Sequence, residues 1–247
     1  MRYFLEISYN GLNYSGWQRQ PGSETVQSNI EGVLSTLFQE ALYVIGCGRT
    51  DKGVHASQFY LHFDTEQDIP HYFLTRINQL LPKDIAVHRL LPVHKNAHSR
   101  YDATQRTYLY KIHFRKDPFQ KDYSFFYPWL PLDLAKMNEA TQMLLDYTEF
   151  HPFCKGRTNV KTKTCYLTSA KWLHEEEQHE LHFVITANRF LRGMVRLIVG
   201  CMILIGQGKL DIDQLREVMN AQTKLPKSLS VPPQGLFLTS VKYPYID

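Results

Sequence analysis

No apolar run in this 247-residue sequence is long enough to cross a membrane. The longest, Leu197 to Ile205, is broken by Gly200 and falls far short of the ~20 residues a span needs. The N-terminal residues, Met1-Arg2-Tyr3-Phe4-Leu5-Glu6, run straight into an alternating pattern without the apolar core of a signal peptide. Four cysteines are present (Cys47, Cys154, Cys165, Cys201), with no C-x-x-C pair and no histidines at zinc-finger spacing. Disulfide scaffolds, collagen, coiled coils and the common zinc modules are thereby excluded, and no phosphate-binding P-loop is found. The expectation is a cytoplasmic protein with free, mostly buried thiols.

What remains is an ordinary globular composition, 43% hydrophobic and 21% charged. The length allows one large domain or two modest ones. The net charge of +4 says little, but its distribution says more. Residues 151–165 carry Lys155, Arg157, Lys161 and Lys163 with no acid. Residues 187–200 carry Arg189, Arg192 and Arg196, again with no acid, whereas Glu175-Glu176-Glu177 gathers negative charge elsewhere. Segregation of sign fits a face that binds a polyanion; the plain alternative is a solvated positive face.

Hydrophobic periodicity predicts the elements. Residues 2–9 alternate as a strand with Tyr3, Leu5, Ile7 and Tyr9 on one face. Val26, Ile30, Val33, Leu34 and Leu37 follow at helical spacing, then a short strand Leu42–Ile45 ended by Gly46. Phe59, Leu61 and Phe63 mark a strand, Phe73 to Leu81 a helix that stops before Pro82, and Ile85 to Leu91 another strand. The order is βαββαβ. Tyr108 to Phe114, a helix after Pro131, strands near 165–172 and 181–187, a strongly apolar helix from Leu191 to Met202 and a strand near 236–243 repeat that order, with one extra short helix near 211–220. The expected class is α+β: two βαββαβ halves of the ferredoxin and RNA-recognition type, residues 1–104 and 105–247, each with an antiparallel sheet and helices on one side. Nucleic acid is one candidate to cover the other sheet face.

Between two predicted strands lies Gly46-Cys47-Gly48-Arg49-Thr50-Asp51-Lys52-Gly53-Val54-His55-Ala56. Its glycines allow tight backbone paths and close approach of a ligand, and among them sit an acid, two bases and a histidine. Read alone, the segment is equally a tight turn in which Asp51 bonds its own backbone.

GRTDKGVHA resembles the GRTDxGVHA motif of the TruA family of tRNA pseudouridine synthases. Tyr9 to Gln20 (YNGLNYSGWQRQ) is similar to that family's YDGxxYxGWQ segment, with Asn10 where an acid is usual. Val26-Gln27 through Glu31 is similar to its first helix, and Arg106-Thr107-Tyr108-Leu109-Tyr110 to its RTYxY strand. Phe150-His151-Pro152-Phe153-Cys154 resembles its F-x-x-F-C/R loop, and residues 188–200 its NxFLxxMVRxxVG helix. The matches run in family order from about residue 3 to 200.

The resemblance implies isomerisation of uridine to pseudouridine in the anticodon stem-loop of tRNA, at positions 38, 39 and 40. The bond from uracil N1 to ribose C1′ breaks, the base turns, and it rejoins through C5. No cofactor and no metal is needed. By the same resemblance Asp51 is the catalytic carboxylate, acting as nucleophile or as base at the sugar, and Arg196 is its basic partner. Arg49, two residues from Asp51, and Tyr108, which stacks on the target base, bind substrate. The resemblance further implies that the two sheets join into one continuous mixed sheet with the active-site cleft between the halves, and that the enzyme is a homodimer.

The target nucleotide must leave its stack, a cost of a few kcal/mol that phosphate contacts and stacking offset. Arg189, Arg192 and Arg196 lie at i, i+3 and i+7, and are expected to share one helix stripe, the first two toward RNA. Arg19, Lys52, Arg106 and Lys155 are further phosphate-contact candidates. Arg189 and Arg192-Gly193 depart from the family's usual residues, as Asn10 does, which bears on which uridines are chosen. Two other classes compete: a catalytically inert RNA-binding protein of duplicated recognition modules, which has no use for Asp51, and a metal-dependent nuclease or phosphatase, which needs more acids near Asp51 than the sequence offers.

Overall fold

A computed structural model describes residues 1–129, 131–156, 163–175, 179–225 and 229–246. In chain order the elements are β1 (Arg2–Tyr9), α1 (Val26–Phe38), β2 (Ile45–Gly46), β3 (His55–Asp64), α2 (Phe73–Leu80), β4 (Ile85–Val93), β5 (Gln105–His113), β6 (Phe125–Phe126), α3 (Leu134–Met143), β7 (Leu167–Glu175), β8 (Glu180–Ala187), α4 (Met194–Gly206), α5 (Ile212–Ala221) and β9 (Leu236–Lys242). The protein is a mixed α+β structure of two compact units. One comprises Met1–Thr104 with Phe237–Asp247, the other Gln105–Leu236. The last strand, expected in the C-terminal half, therefore lies from Phe237 onward in the first unit.

In the first unit the strand order is β4-β1-β3-β9, with β2 beside β3. β1 runs antiparallel to both β3 and β4, whereas β3 and β9 are parallel, pairing His55 with Phe237 and Ala56 with Leu238. Leu5 and Ile7 are fully buried on one face of β1, as its alternation predicts. Phe4, on the opposite face, is buried too, stacked on His62 and edge-on to Tyr243 at 5.3 Å. Helix α1 starts at a capping box in which Thr25 Oγ1 accepts the Ser28 N–H and Ser28 Oγ accepts the Thr25 N–H, both at 3.2 Å. Its buried Val26, Ile30, Leu34 and Phe38 recur every fourth residue. Helix α2 ends as expected before Pro82, with Leu81 extended at ψ 149°.

The strand expected at Leu42–Ile45 is shorter than its pattern. Only Ile45–Gly46 joins the sheet. The backbone of Val44 is held instead by helix side chains: its N–H donates to Glu31 Oε1 and its carbonyl accepts from Gln27 Nε2, both at 3.1 Å. Leu42 and Val44 are buried in spite of this, so their apolarity reflects packing and not a ladder.

In the second unit β8 pairs antiparallel with β5 and β7, and β6 runs parallel to β5. Helix α3 is capped by Asp133, whose carboxylate accepts the Lys136 N–H at 3.0 Å. Twelve of the thirteen residues of α4 are buried, Arg196 being the exception. The antiparallel expectation thus holds for β5, β8 and β7, but β6 and β9 each add a parallel pair.

One pH dependence follows from the first unit. His62 on β3 is buried, with its Nδ1 2.8 Å from the Ser99 hydroxyl oxygen and 3.2 Å from the Ser99 backbone nitrogen. Burial, with Arg2 and His98 nearby, pushes its pKa down to about 4. The unfolded chain binds this proton between pH 6.5 and 4 and the folded one does not, so stability is full above 6.5 and falls as pH drops. The expected slope is up to about 1.4 kcal/mol per pH unit, read from urea denaturation at pH 7.5 and 5.0, and flattened in His62→Asn.

Candidate active site

The Asp51 loop, residues 47–54, leaves β2 and returns as β3. Its first residue remains in the ladder, the Cys47 N–H donating to the Tyr60 carbonyl at 2.7 Å. Residues 9–17 form its support. The Thr50 carbonyl accepts the Trp17 N–H at 3.2 Å, and Thr50 Oγ1 lies 2.9 Å from the Tyr9 hydroxyl. A Cβ at Gly11 would sit 1.9 Å from the Val54 carbonyl oxygen, and one at Gly16 (φ +92°) only 2.4 Å from that of Thr50. Trp17, buried against Phe59 at 4.2 Å, fills the space under Gly46. The two motif segments are therefore one packed unit, and backbone approaches this close are why small residues stand at 11 and 16.

At the tip, the Asp51 carbonyl accepts the Val54 N–H at 3.1 Å, closing a turn through Gly53 at φ +78°. Asp51 is half-buried, while its neighbours Arg49 and Lys52 are exposed. One loop thus presents a carboxylate flanked by two cations. Arg19, at the end of the supporting segment, pairs with Glu31 at 3.3 Å and keeps 60% of its side chain exposed.

The second unit carries the other candidates. Tyr108 on β5 is half-buried, opposite Ile185 of β8, with the Phe190 ring edge-on at 5.1 Å. Tyr110, two residues on, is fully buried and donates its hydroxyl to the Pro232 carbonyl at 2.8 Å. The same strand face passes from half-buried to core between these tyrosines, so alternation alone would misplace Tyr108. Arg196 stands in the first turn of α4. Its Nε donates to the Val231 carbonyl at 2.7 Å, which orients the guanidinium plane. One turn on, a Cβ at Gly200 would sit 1.8 Å from the Leu229 carbonyl oxygen, so the helix lies directly against the segment that holds Arg196.

The expected arginine stripe does not exist. Helix α4 begins at Met194, preceded by Gly193 at φ +69°, a left-handed residue that stops helical winding. Arg189 and Arg192 lie in the connection before it, and only Arg196 is helical. That connection has its own supports. The Arg192 carbonyl accepts the Lys155 N–H at 2.9 Å, and the Lys155 side chain covers Gly193 at 3.1 Å from where its Cβ would be. Lys155 and Arg192 are both exposed and adjacent. Arg106 is only 9% exposed, and its Nη1 donates to the Asn188 carbonyl at 2.6 Å. It braces this connection, a use different from the exposed phosphate contact expected of it. Arg189 is half-buried, near Cys165, whose thiol burial pushes up to about 11.

Arg157 and Lys161 of the basic stretch, and Glu176 and Glu177 of the acidic one, lie outside the described residues. Cys47, Cys165 and Cys201 are buried thiols and Cys154 is half-buried. Among the described residues no group of three or more His, Cys, Asp or Glu side chains is placed to hold a metal ion, and no helix is long and apolar enough to cross a membrane. Sequence reasoning missed the 229–232 segment, whose carbonyls hold Arg196 and Tyr110, because a proline-containing coil carries no periodic signal. Gly200→Ala is expected to lower stability by about 1–3 kcal/mol through overpacking against the Leu229 backbone, read as a shift of the denaturation midpoint.

Comparison with known proteins bears on this arrangement. A family model described as tRNA pseudouridine synthase matches residues 140–244. The chain is 44% identical over 245 residues to tRNA pseudouridine synthase A of Parabacteroides distasonis, covering 98% of this chain and 96% of that one. It is 42% identical over 246 residues to the protein of the same name from Porphyromonas gingivalis, with 98% and 97% covered. The Staphylococcus aureus protein of that name is 33% identical over 250 residues, covering 100% and 91%. With the Asp51 loop, the Tyr108 strand and the Arg196 helix all inside these full-length matches, the chain belongs to the tRNA pseudouridine synthase A family.

Proposed function

We propose that the isomerisation of tRNA uridine to pseudouridine, the activity for which this family is named, is performed by this chain at positions 38, 39 and 40 of the anticodon stem-loop. Asp51, Tyr108 and Arg196 are its working side chains. The observation that carries the reading is the Asp51 loop: a half-buried carboxylate on a turn braced by residues 9–17 and flanked by exposed Arg49 and Lys52.

The chemistry asks for an ionised carboxylate beside the electron-poor C1′ of the ribose. Acting as nucleophile or as base at the sugar, Asp51 assists cleavage of the N1–C1′ bond. The freed uracil, its electron pair on N1, turns and rejoins through C5; the C5 proton is lost to water and N1 takes one up, so the product is an isomer of the substrate. In this scheme Arg196 is the cationic partner that keeps the Asp51 carboxylate ionised and oriented, its plane set by the Val231 carbonyl. Tyr108 stacks on the extruded base, with Phe190 packed against its ring edge, and its hydroxyl relays the C5 proton, passing its own proton to water as it accepts. Arg49 helps hold the flipped nucleotide. The reading keeps two ferredoxin-like halves, residues 1–104 and 105–247, with the strand from Phe237 onward lying in the first unit. It also takes the enzyme to be a cytoplasmic homodimer with one tRNA bridging two subunits.

Lys52, Lys155 and Arg192 are exposed and serve as phosphate contacts, Arg19 and Arg189 as secondary ones. Arg106 acts on RNA indirectly, through the connection it braces. Lys52→Ala and Arg192→Ala are each expected to weaken tRNA binding and to reduce the slope of log K against log salt by about 1, measured by filter binding from 50 to 300 mM salt.

The deciding experiment maps pseudouridine in unmodified tRNA transcripts by carbodiimide labelling and primer extension. Wild-type enzyme should give anticodon stem-loop signals that persist in EDTA. Asp51→Asn should lower turnover by about 10³-fold or more while tRNA binding is retained. Tight tRNA binding by wild type with no pseudouridine in any of several tRNAs would instead favour the inert binding module.

A further inference from the structure

His55 closes the GRTDKGVHA segment yet has no part in the chemistry above. It opens β3 and is 1% exposed. Its Nδ1 accepts the Gly11 N–H at 3.1 Å, so that nitrogen carries no proton. Its ring stacks on Phe237 at 4.6 Å, the residue to which it is paired across the β3–β9 ladder.

These contacts sit at one of two points where the Asp51 loop is gripped. Upstream of Asp51, Thr50 is held by the Trp17 N–H and by the close approach of Gly16. Downstream, the Val54 carbonyl lies against Gly11, and the Gly11 N–H is the group that His55 holds. Residues 51–53 span the gap between these fixed points, closed by their own turn. If the downstream grip is lost, the backbone from which the Asp51 carboxylate projects is held on that side only from the β3–β9 ladder onward, beyond the turn.

We propose that His55 is a positioning residue: its Nδ1 pins Gly11 against Val54 and thereby sets the angle at which Asp51 meets the substrate sugar. The proposal rests on Asp51 being the working carboxylate. Its competitor is that the ring merely fills space against Phe237.

Two substitutions separate these roles. His55→Phe keeps a flat ring for Phe237 but offers no acceptor, leaving the Gly11 N–H without that partner. His55→Asn brings a carbonyl oxygen close to the Nδ1 position and keeps the acceptor without the ring. Each is measured for single-turnover rate, tRNA Kd, thermal midpoint and amide exchange of segments 9–17 and 47–54. The expectation is that His55→Phe loses about 10²-fold in single-turnover rate with Kd within about twofold of wild type, since small misplacements of a reacting group cost rate before binding. Exchange in both segments should quicken in that variant. His55→Asn should stay within about threefold in rate, with exchange unchanged. Equal losses in the two variants, or normal rate and normal exchange in His55→Phe, would overturn the proposal. Should wild-type enzyme form no pseudouridine, the reading of Asp51 fails, while the exchange measurement still decides whether His55 holds the loop.

Discussion

The backbone of residues 9–17 lies so close to the Asp51 loop that no side chain fits between them at Gly11 or Gly16. Much of the first unit is arranged around that contact. Trp17 and Phe59 fill the floor beneath it, Tyr9 and Thr50 join hydroxyls across it, and Gly46 leaves room for the indole. On the proposed reading the Asp51 carboxylate has to meet one carbon of an extruded nucleotide, and such a role needs a support that does not yield. Close-packed backbone is stiffer than a set of long side chains, because few rotamers are available to relax it.

The second unit solves a different problem, how to hold arginines at the start of an almost wholly buried helix. Gly193 delays helical winding until Met194, so the residues before it take an irregular path. The Arg106 side chain holds that path at the Asn188 carbonyl, and the Lys155 N–H holds it at the Arg192 carbonyl. Arg196, the half-buried exception on α4, is oriented by the Val231 carbonyl. Charge is thereby set beside apolar packing with its donors directed, as buried guanidinium groups require.

Most elements were legible from periodicity, because burial on one face imposes a period of two or of about 3.6 on any strand or helix. The failures share one cause. Leu42 and Val44 are apolar because they pack, yet the Val44 backbone is claimed by Gln27 and Glu31, which lie far off in sequence. Leu191 fits the apolar pattern of α4, but a left-handed glycine lies between it and the helix. Arg106 looks like any strand cation until its burial and its bond to Asn188 are seen.

For the site, the sequence by itself determined which residue types stand together: the acid between two bases at 49–52, the tyrosine at the start of its strand, the arginine ahead of an apolar run. These are local facts, and the local resemblances that point to the family need nothing more. Only the tertiary structure decided which cations are exposed, that Tyr108 stays half-buried where Tyr110 is core, and that His55 holds Gly11. Burial and hydrogen-bond partners depend on residues tens of positions away, and no local pattern encodes the distance across which a chain folds back.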